Sequence, residues 1–322
     1  MGIPKKVAVT DYTFSDLAIE ETILRDVDAE LHRGQNKTVE ALIPQVRDAD
    51  VVITQFAPIN DQVIAAMERA RAIIRYGIGV DNVNLQAAAE RKIPVCNVPD
   101  YCIDEVADHT LAFILAMTRQ VVPNCLHVRA GQWGLATPLE QMRCLADQTV
   151  GIIGFGRIGR EVAARLAPLK CRRLVFDPAI PPSMIEWEGC EVMPLHDLLP
   201  HCDLLTLHCP STPQTRKLIN ENSLAQMKRG SMLVNLARGD LVDTDALVAA
   251  LQSGHLSGAA LDVCDKEPIP QGHPLRSMEQ VVLASHIASA SPKAVRKLRE
   301  TAARLAAMAL RGEVLPNVVN GL

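Results

Sequence analysis

Residues 150–177, VGIIGFGRIGREVAARLAPLKCRRLVFD, constrain the fold of this chain more than any other stretch. A short apolar run, Val150–Ile153, leads into Gly154-Phe155-Gly156-Arg157-Ile158-Gly159. Apolar residues follow at helical spacing (Ile158, Val162, Ala163, Leu166), and a second apolar run, Leu174–Phe176, ends on Asp177. This reads as strand, glycine turn, helix, strand, acid. Gly154 permits the tight turn, Gly156 lets a pyrophosphate approach the backbone, and Gly159 lets helix and strand pack closely. The phosphates sit at the helix N-terminus, where N–H groups and the positive dipole end face them. Asp177 is placed to accept the adenine ribose hydroxyls, and its charge repels a 2′-phosphate, so the expected cofactor is NAD. The alternative is a βαβ unit whose glycines serve packing alone. The strand before, the helix after and the acid beyond favour the cofactor.

The length of 322 residues suits two domains with a core each. Aromatic residues make up only 3% of a chain that is 48% hydrophobic, so Ala, Val, Leu and Ile must build those cores. The net charge of −4 and the lack of a basic run argue against nucleic acid as a partner. No charge-free apolar run approaches the ~20 residues of a membrane span, and MGIPKKVAVTD lacks signal-peptide anatomy. The nine cysteines include no CxxC pair and read as reduced thiols, which with the foregoing implies a cytoplasmic protein. His201-Cys202 and His208-Cys209 flank an apolar run without paired ligand spacing, so no metal is expected.

Before the glycine motif, β-rich runs at Lys6–Thr10, Ala49–Thr54, Ala72–Arg75 and Ile93–Cys96 alternate with helical segments near 16–26, 38–47, 61–70 and 85–91. Such alternation predicts a small parallel α/β domain. Gly77 and Gly79 follow a strand; their turn suits an anion and equally suits a plain βα connection. A helix is expected over Asp104–Gln120, and an irregular stretch through Trp133 to Asp147 reads as an arm or a loop. Trp133 could be buried against a partner or within the monomer. Beyond Asp177, strands are expected near 203–208, 231–236, 258–263 and 280–284, with helices near 223–228 and 243–251. A last helix, Pro292–Leu310, carries Val295, Leu298, Thr301 and Leu305 along one side.

Arg238, Glu267 and His286 each lie just past one of those later strands. In an open parallel sheet, ligands bind outside the carboxyl ends of the strands, on the side to which the glycine turn points. Their types suit one reaction. Hydride transfer to a carbonyl requires a proton for the developing alkoxide, which a histidine can supply. A carboxylate on its other ring nitrogen favours the imidazolium, and a guanidinium can clamp a substrate carboxylate in two places.

The chain resembles the D-isomer-specific 2-hydroxyacid dehydrogenases over nearly its whole length. The resemblance is carried by RYGIGVDNV (75–83), EVADHT (105–110), VGIIGFGRIGR (150–160), LVNLARGDLVDTDAL (233–247), GAALDVCDKEP (258–268) and VVLASH (281–286). It implies two doubly wound, Rossmann-like parallel-sheet domains of the α/β class. Residues 99–289 would form the NAD-binding domain, and residues 1–98 with 290–322 a discontinuous, flavodoxin-like substrate domain. It further implies His286 as acid/base paired with Glu267, and Arg238 as carboxylate anchor. Asp262 would lie near the nicotinamide amide, with Cys209, Thr215 and Leu236 lining the cofactor. Backbone N–H groups around Ile78, between Gly77 and Gly79, would meet the substrate carboxylate, and the arm holding Trp133 would make a homodimer. The substrate class implied is a small 2-oxo or 2-hydroxy acid. Arg75, Ile103–Asp108 and LHCPSTPQT (207–215) fall in step with the branch that contains the C-terminal binding proteins. In that branch the residue at Arg75 also helps to bind the carboxylate, and a second reading follows: an NAD(H)-sensing binding module with little turnover. A tryptophan that follows the catalytic histidine in that branch is absent here, where Ile287, Ala288 and Ser289 stand.

Overall fold

The computed structural model describes residues 4–322; residues 1–3, the head of the N-terminal stretch read for a signal sequence, lie outside the described residues. The chain forms two compact units, one ending at Tyr101 and resuming at Ser291, the other spanning Cys102–Ala290.

The first unit runs β1 (Lys5–Val9), α1 (Ala18–Arg25), β2 (Ala29–Arg33), α2 (Val39–Val46), β3 (Val51–Thr54), α3 (Asp61–Ala66), β4 (Ala72–Arg75), α4 (Leu85–Glu90) and β5 (Val95–Cys96). Its five strands are parallel, in the order β2-β1-β3-β4-β5. β3 and β4 are buried at every residue, as apolar runs covered on both faces by helices must be. β2 was not foreseen. It is an edge strand, AELHR, largely exposed, whose alternation is confined to Ala29 and Leu31 on the core side and is too short to stand out.

The second unit runs α5 (Ile103–Thr118), α6 (Val121–Arg129), β6 (Thr149–Ile153), α7 (Arg157–Leu166), β7 (Arg172–Phe176), α8 (Pro182–Trp187), β8 (Glu191–Val192), α9 (Leu195–Leu198), β9 (Leu204–Leu207), α10 (Glu221–Gln226), β10 (Ser231–Asn235), α11 (Thr244–Gln252), β11 (Leu256–Leu261) and β12 (Val281–Leu283). Its seven strands are also parallel, ordered β12-β11-β10-β9-β6-β7-β8. α11 starts where expected: Asp243 caps it by accepting the Ala246 N–H at 3.3 Å. α6 was missed because it has no apolar face; none of its residues is buried. Trp133, just beyond it, is 91% exposed, so its burial within the monomer is ruled out.

The chain then returns to the first unit as α12 (Pro292–Arg311). Ser291 caps it through the Ala294 N–H at 3.0 Å, Pro292 opens it, and Gly312 closes it in the left-handed region. Its buried stripe is Ala294, Leu298, Ala302, Leu305 and Ala309. Val295 and Thr301, expected on that side, are only partly covered. Alanine lets the helix approach the sheet closely, which is how a chain poor in aromatics fills this layer. The apolar cluster on that face joins α1 and α12 to β1, β3 and β4.

Candidate active site

The strand order of the second unit reverses between β6 and β9, so loops diverge there and leave a crevice at the carboxyl edge. The Gly154–Gly159 turn lies at that edge. Gly154 has φ +93°, which only glycine adopts without strain. A Cβ on it would also overlap the backbone of His208 and Cys209, which follow β9. A Cβ on Gly159 would overlap the carbonyl of Gly154. Around Gly156, by contrast, nothing stands within 4 Å of where a Cβ would be. Two glycines therefore close the turn, and the middle one leaves room against the backbone at the start of α7. That room and those helix-terminal N–H groups fit a pyrophosphate. Asp177 follows β7; its Oδ2 accepts the Phe155 N–H at 2.6 Å and its Oδ1 the Ala179 N–H at 2.8 Å. Each oxygen keeps a further acceptor direction for a ribose hydroxyl. Arg157 and Ile158 form the first turn of α7.

Of the other residues expected along the cofactor, Cys209 packs its backbone on Gly154, and burial pushes its thiol up to about 11. Thr215 uses its hydroxyl within its own loop, accepting the Thr212 N–H at 2.8 Å and donating to the Pro210 carbonyl at 2.6 Å. Leu236 is buried just past β10. His208 lies beside the glycine turn, but burial pushes it down to about 3 and its Nε2 sits 2.9 Å from the Thr206 hydroxyl. A ring held neutral there is no proton donor at ordinary pH.

The ends of β10, β11 and β12 stand side by side, and they carry Arg238, Glu267 and His286. His286 Nδ1 lies 2.8 Å from Glu267 Oε2, and Glu267 Oε1 accepts the Cys264 N–H at 3.0 Å. Burial alone raises the Glu267 pKa. The hydrogen bond and charge of His286, the Cys264 N–H and the charge of Arg238 outweigh it and hold the carboxyl below its usual range. The glutamate is thus an anion across neutral pH, fixed on one ring nitrogen of the histidine.

Two residues to which the sequence reading assigned no role, Gly239 and Asn235, build this corner together with Asp262. Gly239, next to Arg238, has its Cα so close to the Cys264–Asp265 backbone that any Cβ would overlap it. The two loops bearing Arg238 and Glu267 are thereby brought together. Asn235, buried at the end of β10, accepts the Ala237 N–H at 3.0 Å and donates to the Arg238 carbonyl at 2.8 Å, which folds the turn that presents the arginine. Asp262 is 2% exposed. Its carboxylate accepts the N–H groups of Ile287 and Ala288 at 2.8 and 2.9 Å, while its carbonyl accepts the His286 N–H at 2.7 Å. It holds His286 at φ +58°, a conformation uncommon outside glycine. An asparagine three residues before an arginine is a turn signal; the Gly239 contact leaves no trace in sequence.

In the first unit, Arg75 ends β4 and is 8% exposed. Gly77 has φ +148°, and its missing Cβ leaves the place occupied by the Arg75 guanidinium. The turn is pinned by Asn97, whose Nδ2 donates to the Ile78 carbonyl at 2.7 Å, and by Val98, whose N–H donates to the Gly77 carbonyl at 3.0 Å. Tyr76 donates to Glu20 at 3.0 Å, and Arg299 of α12 grips the same buried carboxylate at 2.8–3.2 Å. Arg75, Gly77, Ile78 and Gly79 thus form one rigid corner, Gly79 lying partly covered at its open side.

Residues 111–288 match the family model described as D-isomer specific 2-hydroxyacid dehydrogenase, NAD binding domain. The chain is 37% identical over 284 residues to a glyoxylate reductase of Korarchaeum cryptofilum, covering 87% of this chain and 86% of that one. It is 36% identical over 303 residues to the D-3-phosphoglycerate dehydrogenase of Pongo abelii, covering 92% of this chain but 56% of that protein. Its fold superimposes on a D-lactate dehydrogenase of Aquifex aeolicus, solved with NAD and lactic acid, with a TM-score of 0.90 at 26% identity over 98% of this chain and 99% of the other. With its glycine turn, its histidine–glutamate pair and these relatives, the chain belongs to the D-isomer-specific 2-hydroxyacid dehydrogenase family, whose members are NAD-dependent oxidoreductases.

Proposed function

We propose that the protein interconverts a 2-oxo acid and a D-2-hydroxy acid, with His286 and Glu267 as the acid/base pair and Arg238 as the carboxylate anchor. The single observation that carries these roles is the 2.8 Å contact between His286 Nδ1 and an ionised Glu267 beside the Arg238 loop. Bound NAD(H) supplies or accepts the hydride. His286 gives its Nε2 proton to the alkoxide oxygen as reduction proceeds, and takes it back in the reverse direction. Glu267 stabilises the imidazolium without itself moving a proton, and Arg238 holds the carboxylate and polarises the neighbouring carbonyl. Gly154–Gly159 are assigned to the pyrophosphate and Asp177 to the ribose, which makes NADH the preferred coenzyme. Arg75 and the Gly77–Gly79 turn are assigned to the substrate carboxylate, so the first unit serves the substrate and the second the cofactor.

The test is NADH oxidation against a panel of 2-oxo acids. His286→Ala should lower turnover by roughly 10²–10⁴-fold while NADH still binds. Turnover equal to wild type would sink the assignment. Glu267→Gln should move the pH profile of reduction toward acid, because the charge that favours the imidazolium is gone.

The finer kinship with the C-terminal binding proteins is supported by Arg75, residues 103–108 and residues 207–215. Tight NADH binding without turnover on any acid is the outcome that would favour that binding role. We assign a homodimer formed through the arm after α5. Supporting it, Val121, Leu126, Val128, Trp133, Leu135 and Leu139 expose a run of apolar surface, of the kind that marks an interface. Trp133→Glu should yield monomers in sedimentation; an unchanged dimer would place the interface elsewhere. Neither nucleic acid nor membrane is among the proposed partners. A reducing, cytoplasmic setting is consistent with nine free cysteines.

A further inference from the structure

We infer that the carboxyl edge of the five-stranded sheet selects 2-oxo acids bearing a single carboxylate and an apolar side chain, and that Phe56 is the residue that reads that side chain. The inference rests on the assignment of the first unit to the substrate.

The strand order of this sheet reverses between β1 and β3, which is where a doubly wound sheet takes a phosphate-bearing ligand. The donors for one are present. The N–H groups of Gln55, Phe56 and Ala57, just past β3, converge on one point, a nest suited to an anion. That point is filled by the chain itself. The Asp11 carboxylate, 1% exposed, accepts those three N–H groups at 3.0, 2.8 and 3.2 Å, and the hydroxyls of Thr10 and Thr54 at 2.9 and 3.4 Å.

Charge tells the same story. The loops after β1, β3, β4 and β5 (residues 10–17, 55–60, 76–84 and 97–101) contain no lysine, arginine or histidine. Arg75 is the only cation in these four loops or at the last residue of the strands that lead into them, against Asp11, Asp16, Asp81 and Asp100. The α12 cations that reach these loops, Arg299 and Lys297, are held by Asp16 and Asp100 at 3.0 and 2.9 Å. Arg75 is the one guanidinium that these ends contribute, and it is assigned, with Arg238, to the single substrate carboxylate. A phosphorylated or dicarboxylic substrate would bring a second anion to acids and a filled nest.

What the edge offers instead is aromatic surface. The four loops hold all three tyrosines and two of the five phenylalanines of the chain: Tyr12, Phe14, Phe56, Tyr76 and Tyr101. Tyr12, Phe14, Tyr76 and Tyr101 belong to or pack on the core of the unit. Phe56 does not; it is 41% exposed, with its ring centroid 5.9 Å from the Arg75 guanidinium carbon. Asp11 fixes the Phe56 backbone, so the ring is presented by a rigid loop. A 2-oxo acid whose carboxylate meets Arg75 has its alkyl or aryl group within reach of that ring.

The experiment compares kcat/KM for phenylpyruvate and 4-methyl-2-oxopentanoate with glyoxylate, hydroxypyruvate, 2-oxoglutarate and phosphohydroxypyruvate. The two apolar acids should lead by on the order of tenfold. Phe56→Ala should cut the ratio of phenylpyruvate to glyoxylate by about tenfold, and Phe56→Leu should restore most of it. A lead for the phosphorylated or dicarboxylic acid, or a ratio that Phe56→Ala leaves in place, overturns this inference and keeps the dehydrogenase reading. No NADH oxidation with any acid overturns the dehydrogenase reading and this one with it.

Discussion

Each sheet has a point where the strand order reverses, and the chain treats the two points in opposite ways. Between β6 and β9, Gly154 and Gly159 draw the turn tight while Gly156 leaves open space against the backbone. Between β1 and β3, the loop donors are saturated by the buried carboxylate of Asp11. Both places concentrate backbone N–H groups at strand ends, and both therefore favour negative charge. The difference is who supplies it. Where the charge is to come with a ligand, side chains withdraw; where it is not, the protein provides its own and the loop becomes rigid scaffold.

The largest effect should come from reversing the first of these choices. Gly156→Val places a side chain in space that is otherwise empty, so the melting temperature should hold while NADH affinity falls by tenfold or more, read by fluorescence titration. Gly159→Ala, three residues on, should do the reverse. Its Cβ meets the Gly154 carbonyl, and overpacking of this kind costs roughly 1–3 kcal/mol of stability. Equal behaviour of the two variants would break the distinction between a ligand glycine and a packing glycine.

Asp11→Ala should convert the closed point into an open one. Each buried donor left unpaired costs roughly 1–3 kcal/mol, so the variant should melt well below wild type. Inorganic phosphate should then raise its melting temperature more than that of wild type. A variant that loses no stability, or gains none from phosphate, would show that the nest does not hold charge.

The smallest effect is expected at Asp177. Asp177→Asn keeps acceptors for Phe155 and Ala179 on one oxygen only and removes the charge that repels a 2′-phosphate. The NADH-to-NADPH ratio of kcat/KM should fall by about tenfold or less, and an unmoved ratio would assign coenzyme choice to other residues.

How much of this was legible depended on distance along the chain. The glycine motif could be read because turn, helix and acid lie within one βαβ unit, and each glycine's reason is local. The types and order of Arg238, Glu267 and His286 could be read too, since strand ends follow from apolar runs. Boundaries moved by a residue or two: β10 stops at Asn235 and β11 at Leu261, short of Leu236 and Val263. β2 and α6 escaped because an edge strand with only two core-facing residues is too short a signal, and a helix with no buried residue has no apolar face to show.

By itself the sequence determined the α/β class, the cofactor turn and the chemical types at three strand ends, because each is written in neighbouring residues or in apolar runs whose period follows from backbone geometry. Only the tertiary structure decided that β10, β11 and β12 are adjacent. It alone decided that Gly239 lets the Arg238 and Glu267 loops touch, that Asp262 sets the backbone of His286, and that Asp11 seals a nest 44–46 positions away. Those contacts join residues far apart in the chain, and they exist only once burial has removed the water that would otherwise have satisfied the same donors.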